Sequence, residues 1–249
     1  MSSSLTINPV GTPFTELLSV SSTNIYAADK LKANLAAHGA AFFAHHQTAG
    51  KGQRSKQWND EPVKNILLSA ILDTSFLSTL HQFPLSAMVA VSVQEFFSQY
   101  AGDETKIKWP NDLYWRDRKA GGILIETVAN GKWAIVGVGI NINQTDFPKY
   151  LINPVSLKQI TGKTFDTVAL AKELCIYLEK YYQLLKKKKI KKIIDLYNQY
   201  LYKKNEVVRL KKNNAAFNCT IKSVNENGEL IVANALQESF IWGEVEWIL

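Results

Sequence analysis

The residues of this chain best suited to chemistry lie between residues 104 and 143, where two lysines and an aspartate stand close to paired glycines. Lys108 and Asp112 flank a proline-containing turn, and Lys119 precedes an Ala-Gly-Gly sequence. Lysine cations can offset negative charge on a carboxylate or a phosphate, and glycines let a ligand approach the backbone closely. The segment therefore predicts the floor of an enzyme site. A hairpin with solvated lysines, whose glycines merely relieve crowding, would give the same pattern.

Alternation along a predicted strand from Trp133 to Asn143 separates two unlike faces. One face is apolar throughout and should pack on a core: Ala134, Val136, Val138, Ile140 and Ile142. The other face has glycines in its middle and amides at one end: Trp133, Ile135, Gly137, Gly139, Asn141 and Asn143. Backbone without side chains at Gly137 and Gly139 would let a ligand lie directly on the sheet.

A second candidate region is the polar loop from Thr48 to Pro62, which interleaves glycines with basic residues. Glycine amides can fold around an anion and basic side chains can neutralise phosphate, although a flexible solvated loop would look the same. Upstream, Ser22, Thr23 and Asn24 begin a predicted helix, where hydroxyls and an amide can cap the helix or bind a small polar ring. Adjacent His45 and His46 point apart in a strand, which disfavours a shared metal site.

The elements that must position these residues follow from hydrophobic periodicity. The pattern predicts strands at 14–20, 40–47, 65–73, 106–109, 120–128 and 133–143. It also predicts a helix after Ser22 with apolar positions Ile25, Ala28, Leu31 and Leu35. Further helices are predicted at 84–100, 166–187 and 189–202, with irregular chain after Asn143. From Asn205 short strands alternate with Asn-Asn and Asn-Gly turns. We therefore expect an α+β fold, a mixed sheet with flanking helices at 1–203 and a small β domain at 204–249.

Composition and charge disfavour several classes of protein. The 249 residues carry a formal net charge of +7, with lysines concentrated from Lys186 to Lys192. This concentration lies within an amphipathic helical pattern, which favours a solvated helix face over a nucleic-acid surface. We found no apolar run near the roughly 20 residues of a membrane helix and no signal-peptide pattern, so we expect a cytoplasmic protein. Cys175 and Cys219 lack metal-ligand spacing and should be buried thiols.

Five ordered motifs raise the specificity of these interpretations: SVSSTN, HHQTAGKGQRSKQW, KWPNDLYW, RKAGGILIE and GVGININ. Together they resemble the motifs of biotin-protein ligases, and they lie in order between Ser19 and Asn143. The resemblance implies a catalytic domain related to class II aminoacyl-tRNA synthetases and an SH3-like C-terminal domain. It also implies a two-step reaction in which ATP activates biotin as biotinyl-5'-AMP and a carrier-protein lysine then takes the biotinyl group.

The same resemblance implies roles for individual residues. Lys119 would be the main catalytic residue, assisted by Lys108 and Asp112. The biotin side would comprise Ser22, Thr23, Asn24, Gln47, Gly50, Lys51, Gly52, Lys119, Gly122 and Gly139. The adenylate side would comprise Lys51, Gln53, Arg54, Lys56, Trp58, Asn111, Lys119 and Asn141. The loop departs from the common family pattern GRGRRGR at Lys51, Gln53, Ser55 and Lys56.

The implied substrates are ATP and biotin, with magnesium arriving on ATP because no residue cluster forms a protein metal site. The implied partner is a biotin carboxyl carrier protein or carboxylase carrier domain, and the enzyme would be a monomer or a homodimer. Since the first motif begins at Ser19, we expect no DNA-binding domain and no sequence-specific nucleic acid. A lipoate-type ligase, a non-catalytic biotin-binding protein and a nucleic-acid-binding module are the alternatives.

Overall fold

The computed structural model describes residues 8–53, 57–77 and 83–248. Seven strands form its main sheet: β1 (Phe14–Leu17), β2 (Ala41–Ala44), β3 (Ile66–Asp73), β4 (Thr105–Lys108), β5 (Asp112–Trp115), β6 (Arg118–Val128) and β7 (Trp133–Ile140). Their order is β1-β2-β3-β7-β6-β5-β4. The β1–β2 pair is parallel and the other pairs are antiparallel. The sheet is therefore mixed, as predicted.

Five helices accompany the sheet: α1 (Thr23–Lys32), α2 (Phe83–Ala101), α3 (Leu157–Thr161), α4 (Thr167–Lys186) and α5 (Ile190–Gln199). The main core lies between the sheet and α2, α4 and α5. It contains all five residues of the predicted apolar face of β7 and its extension: Ala134, Val136, Val138, Ile140 and Ile142. A smaller cluster on the other face joins Ala27 of α1 to Phe42, Ile71 and Ile135. Alternation in β7 thus predicted its two faces correctly.

Two helical details differ from the sequence-based expectation. Helix α1 ends at Lys32, so Leu35 lies beyond it and is 70% exposed, whereas Ala27 is fully buried. Helix α3 falls in the segment predicted to be irregular. Its start is a capping box, in which the Ser156 side chain accepts from the Gln159 backbone and the Gln159 side chain accepts from the Ser156 backbone. The Ser-x-x-Gln spacing is the signal that was missed.

The C-terminal strands form a separate antiparallel sheet: β8 (Val207–Lys212), β9 (Ala215–Val224), β10 (Leu230–Ala233), β11 (Ser239–Phe240) and β12 (Glu246–Ile248). Asn213 and Asn214 join β8 to β9 with φ values of 48° and 67°, the left-handed conformation that asparagine tolerates in hairpin turns. The last predicted strand is divided into β11 and β12 by a turn. The Trp109 indole donates to the Gly228 carbonyl at 2.9 Å, so this sheet packs against the end of β4.

Surface and thiol predictions agree with the structure. The lysines from Lys186 to Lys192 are all exposed at the junction of α4 and α5, as a solvated face requires. Cys175 and Cys219 are free and buried, and burial raises the pKa of the Cys175 thiol to about 12. Among the described residues, none of the helices combines the length and apolar character needed to cross a membrane.

Candidate active site

Lys119 reaches the predicted ligand surface because of an irregularity between β5 and β6. Asp112 pairs with Gly122 and Leu113 with Gly121, but the register then shifts so that Tyr114 pairs with Lys119. In a regular strand, residues 119 and 122 would face opposite sides of the sheet. The bulge puts both on one side, where the Lys119 Nζ donates to the Asp112 Oδ1 at 2.7 Å. The two side chains are 36% and 24% exposed, so a ligand can reach this ion pair.

The segment that follows β7 forms backbone hydrogen bonds with Lys119. Lys119 N–H donates to the Asn153 carbonyl at 2.8 Å, and Val155 N–H donates to the Lys119 carbonyl at 2.9 Å. The buried Asn141 amide donates to the Val155 carbonyl at 3.2 Å. In this structure Asn141 therefore supports the segment beside Lys119, and its contact with a nucleotide stays a prediction.

Lys108 lies opposite Asp112 in the β4–β5 register but is enclosed. It is 8% exposed, and its Nζ donates to the Tyr114 hydroxyl at 3.1 Å. The same Nζ lies 4.6 Å from the Tyr114 ring centroid and 5.3 Å from that of Trp247, so the C-terminal sheet covers it. Burial raises the pKa of Tyr114, which keeps its hydroxyl protonated. The role of Lys108 as a residue that assists Lys119 stays a prediction.

The paired glycines form a bare surface, defined here as the glycine surface: Gly122, Gly137 and Gly139. Gly122 and Gly139 are direct partners across β6 and β7. The Trp58 ring lies on them, since a Cβ at Gly139 would come within 2.6 Å of that ring and one at Gly122 within 3.3 Å. Trp58 was predicted for the adenylate side, yet here it covers the glycines predicted for biotin. Gly50 is equally constrained, because its Cβ would meet the Trp58 carbonyl at 2.6 Å.

Four polar side chains meet at the opposite end of the glycine surface and are called the polar row: Thr23, Asn24, Gln47 and Ser69. Thr23 N–H donates to the Gln47 Oε1 at 2.7 Å. The Ser69 hydroxyl contacts the Thr23 hydroxyl at 2.7 Å and the Asn24 Oδ1 at 2.6 Å. A Cβ at Gly137 would overlap the Asn24 amide, so this glycine makes room for the row.

Two features of the polar row differ from what the sequence suggested. Ser69 was missed, although it is the single polar residue in the apolar run from Ile66 to Leu72 and is fully buried. Ser22 occupies the N-cap position of α1, but its side chain makes no capping hydrogen bond with a described residue. The predicted biotin-side residues Thr23, Asn24 and Gln47 are brought together, while Ser22 adjoins them, buried at 2% exposure.

The described residues of the loop from Thr48 to Pro62 join the site mainly through Gln53 and Trp58. Lys51 is exposed and forms a backbone bridge with Gln57, and Gly52 follows it. Gln53 and Asn111 both donate side-chain N–H groups to the Ile123 carbonyl, at 3.4 and 2.7 Å. Arg54 and Lys56, predicted to face the nucleotide, lie outside the described residues.

Histidines near the loop form separate pairs, as predicted. His46 Nδ1 lies 3.1 Å from the buried Asp60 carboxylate, whereas His45 Nε2 lies 3.8 Å from Glu16. Within the described ranges, no group of three His, Cys, Asp or Glu residues could hold a metal ion. The site is thus an ion pair and a polar row joined by bare backbone, which suits an elongated ligand with an anionic end and a polar end.

The architecture defines the structural class of the protein. The fold is that of the biotin protein ligases: the structure of biotin protein ligase from Aquifex aeolicus in complex with biotin and ATP aligns with a TM-score of 0.79 at 24% identity, covering 93% of this chain and 97% of that one. The ligase from Leishmania major in complex with biotinyl-5-AMP aligns with a TM-score of 0.63 at 20% identity, covering 91% and 97%.

Sequence similarity identifies the family. Residues 17–143 match the Biotin/lipoate A/B protein ligase family, and the chain belongs to it. The bifunctional ligase/repressor BirA of Bacillus subtilis (strain 168) is 34% identical over 163 residues, 63% of this chain and 50% of that protein. The biotin--[acetyl-CoA-carboxylase] ligase of Mycobacterium tuberculosis is 33% identical over 111 residues, 43% of this chain and 40% of that protein. The match thus spans half or less of these relatives. The predicted family and fold class are confirmed.

Proposed function

We propose that this protein is an ATP-dependent biotin-protein ligase that forms biotinyl-5'-AMP and transfers biotin to a carrier-protein lysine. The observation that carries the proposal is the placement of the Lys119–Asp112 ion pair and the polar row at opposite ends of the glycine surface. Biotin has a carboxylate at one end and a cyclic urea at the other, which matches this arrangement. The ligands in the Aquifex aeolicus and Leishmania major structures support the same choice.

In the first step, a biotin carboxylate oxygen attacks the α-phosphorus of ATP, and pyrophosphate leaves. Lys119 Nζ would contact the carboxylate and then the bridging and phosphate oxygens, where its positive charge offsets the charge that builds on oxygen. Asp112, at 2.7 Å, holds the ammonium group in place before substrates arrive. Pre-positioned charge of this kind lowers the barrier without reorganisation during the reaction.

In the second step, the amine of the carrier lysine attacks the activated carbonyl, AMP leaves with the electron pair of the broken carbon–oxygen bond, and the new amide nitrogen loses one proton to solvent. No protein nucleophile is needed, because the acyl-adenylate already has a good leaving group. Asp112 is the carboxylate beside Lys119 and would help to place the incoming amine. The carrier would be a biotin carboxyl carrier protein or the carrier domain of a carboxylase, in line with the name of the Mycobacterium tuberculosis relative.

Magnesium would come to the site with ATP. Within the described ranges no cluster of three potential ligands exists, and Asp112 is the carboxylate nearest to Lys119, so the residues present fit a metal held mainly by phosphates and water. When bound, the ion would neutralise charge on the triphosphate.

The test is ATP–pyrophosphate exchange with biotin or lipoate supplied separately. We expect exchange with biotin and little with lipoate. Exchange with lipoate alone would identify a lipoate-type ligase, and tight biotin binding without exchange would identify a non-catalytic binding protein. Either result would overturn the proposed reaction.

A further inference from the structure

Glu126 is an exposed carboxylate at the end of the polar row that no proposed step uses. Its Oε2 accepts a hydrogen bond from the Asn24 Nδ2 at 2.7 Å. The same nitrogen donates to the Leu124 carbonyl at the longer distance of 3.3 Å. Hydrogen bonds to carboxylates are stronger than those between neutral groups. Glu126 is therefore the stronger of the two groups that orient the Asn24 amide, which is only 4% exposed.

The orientation of this amide sets the direction of hydrogen bonding along the row. A carboxylate and a main-chain carbonyl both accept, so the Asn24 NH2 group faces them and its Oδ1 faces Ser69. Asn24 Oδ1 can only accept, so Ser69 donates its single hydroxyl proton to Asn24 across 2.6 Å. Ser69 can then only accept from Thr23, at 2.7 Å.

Counting protons shows what the row lacks. Three oxygen–oxygen contacts join Gln47, Thr23, Ser69 and Asn24, at 3.1, 2.7 and 2.6 Å, but only Thr23 and Ser69 carry hydroxyl protons. Gln47 Oε1 is held as an acceptor by the Thr23 N–H. With the Asn24 amide reversed, Asn24 would donate to Ser69 and every contact would have a proton. In the observed orientation one of the three contacts has no proton between its oxygens, so the row has acceptor capacity left for an N–H group of a ligand.

We propose that Glu126 is a positioning residue that keeps the polar row an acceptor for an N–H group of the ligand's cyclic urea. This role rests on the proposed function, since biotin brings the urea. Glu126 acts through Asn24 and does not itself touch the substrate. The row also needs Gly137, whose lack of a side chain leaves space for the Asn24 amide.

The first experiment compares biotin-dependent pyrophosphate exchange by the wild type, Glu126→Ala, Glu126→Gln and Glu104→Ala. Glu126→Ala should raise the KM for biotin about tenfold, because the Leu124 contact still orients the amide weakly. Its KM for ATP and its kcat should stay within about twofold. Glu126→Gln keeps a carbonyl acceptor and should stay within about threefold of the wild type. Glu104→Ala removes an exposed carboxylate paired with Arg116 at 3.7 Å and should leave all three parameters unchanged.

The second experiment asks whether Glu126 acts through Asn24. Neighbouring residues that work through one another show non-additive effects. Removing Glu126 in an Asn24→Ala background should therefore add little to the KM for biotin. A merely structural role would instead give additive losses and a lower unfolding temperature for Glu126→Ala.

Two kinds of failure are distinguishable. A wild-type protein without biotin-dependent exchange would overturn the proposed function and this role with it. An active wild type whose KM for biotin is unchanged by Glu126→Ala, or changes additively with Asn24→Ala, would overturn the role of Glu126 alone.

Discussion

The polar row and the loop from Thr48 to Pro62 border the same glycine surface, yet the polar groups of their described residues differ in how fully they are hydrogen-bonded. Thr23 and Asn24 are each 4% exposed and Ser69 is fully buried, and all make side-chain hydrogen bonds. In the loop, Lys51 is exposed, and the buried Nε1 of Trp58 has no hydrogen-bond partner among the described residues. The side chains of the row are already held in place by hydrogen bonds before ligand arrives, whereas the described residues of the loop include a buried donor that lacks a partner.

This difference suggests a division of roles between the polar row and the loop. Polar groups that are already in place bind without a large ordering cost, so the row should determine which acid is selected. Ordering a loop costs roughly 1 to 2 kcal/mol of backbone entropy per residue, so the loop should close only when contacts to an adenylate compensate. Closure would then keep water from the intermediate. The predictions below test this division, from the largest expected effect to the smallest.

The largest effect is expected at Lys119, which lies at the reacting end of the surface. Lys119→Ala should retain the fold and most biotin binding. The barrier to adenylate formation should rise by about a few kcal/mol, because the variant lacks the charge beside the reacting carboxylate. The measurements are pyrophosphate exchange and biotin binding by calorimetry. Lys132→Ala removes an exposed lysine at the other end of the β6–β7 hairpin and serves as the control. Near-normal exchange by Lys119→Ala would refute the assignment.

A pair of glycine substitutions compares the two regions directly. Gly137→Ala pushes a methyl group into the hydrogen-bonded Asn24 amide, so the free energy of unfolding should fall by about 1–3 kcal/mol. Gly139→Ala meets the Trp58 ring, which has no hydrogen bond to hold it among the described residues, so the fall should be less than about 1 kcal/mol.

Both glycine variants should bind biotin more than about tenfold more weakly, since each methyl group occupies the ligand surface. Urea denaturation and biotin calorimetry separate the two effects. Equal losses of stability would show that the polar row is no more firmly held than Trp58.

A smaller effect is expected from the loop. Arg54→Ala should release biotinyl-AMP a few-fold faster, because Gln53 stands where the common family pattern has a basic residue and leaves more of the phosphate contact to Arg54. Arg209→Ala, which removes an exposed arginine of β8, is the matched control. Biotin plus ATP should also protect residues 48–62 from limited proteolysis. Equal cleavage in both states, together with unchanged release by Arg54→Ala, would contradict the proposed role of the loop.

The smallest effect concerns the Trp58 ring on the glycine surface. Biotin binding should change tryptophan fluorescence, because a ligand on Gly139 must displace this ring. The change should largely disappear in Trp58→Phe and persist in Trp242→Phe, whose ring is half exposed on the C-terminal sheet. A change of the same size in Trp58→Phe would mean that the ring stays in place when biotin binds.

Much of the fold followed from local patterns. The predicted strands and helices correspond to observed elements because alternation and helical periodicity reflect burial on one face, as in β7 and α2. Leu35 was misplaced because periodicity does not mark where a helix ends. The short α3 was missed because its signal is a cap and not a hydrophobic repeat.

The site was predictable in its residue types and less so in its geometry. Motif resemblance placed Thr23, Asn24 and Gln47 together, and their hydrogen bonds agree with that grouping. No role was predicted for Ser69 or Glu126, because a polar residue in a strand becomes informative only when its partners are known, and here those partners lie on α1. The burial of Lys108 could not be read from its own segment, because Trp247, which lies over it, comes from the C-terminal sheet.

By itself, the sequence determined the mixed α+β class, the apolar and bare faces of β7, and membership of the ligase family, since each depends on local composition and ordered motifs. Tertiary structure alone decided the side of the sheet on which Lys119 lies. Residues 119 and 122 would diverge in a regular strand, and the bulge opposite Tyr114 brings them to one face. It also decided the hydrogen-bond direction of the polar row, because Asn24 is oriented by Glu126, a partner distant in sequence that the packing of α1 on the sheet brings within 2.7 Å.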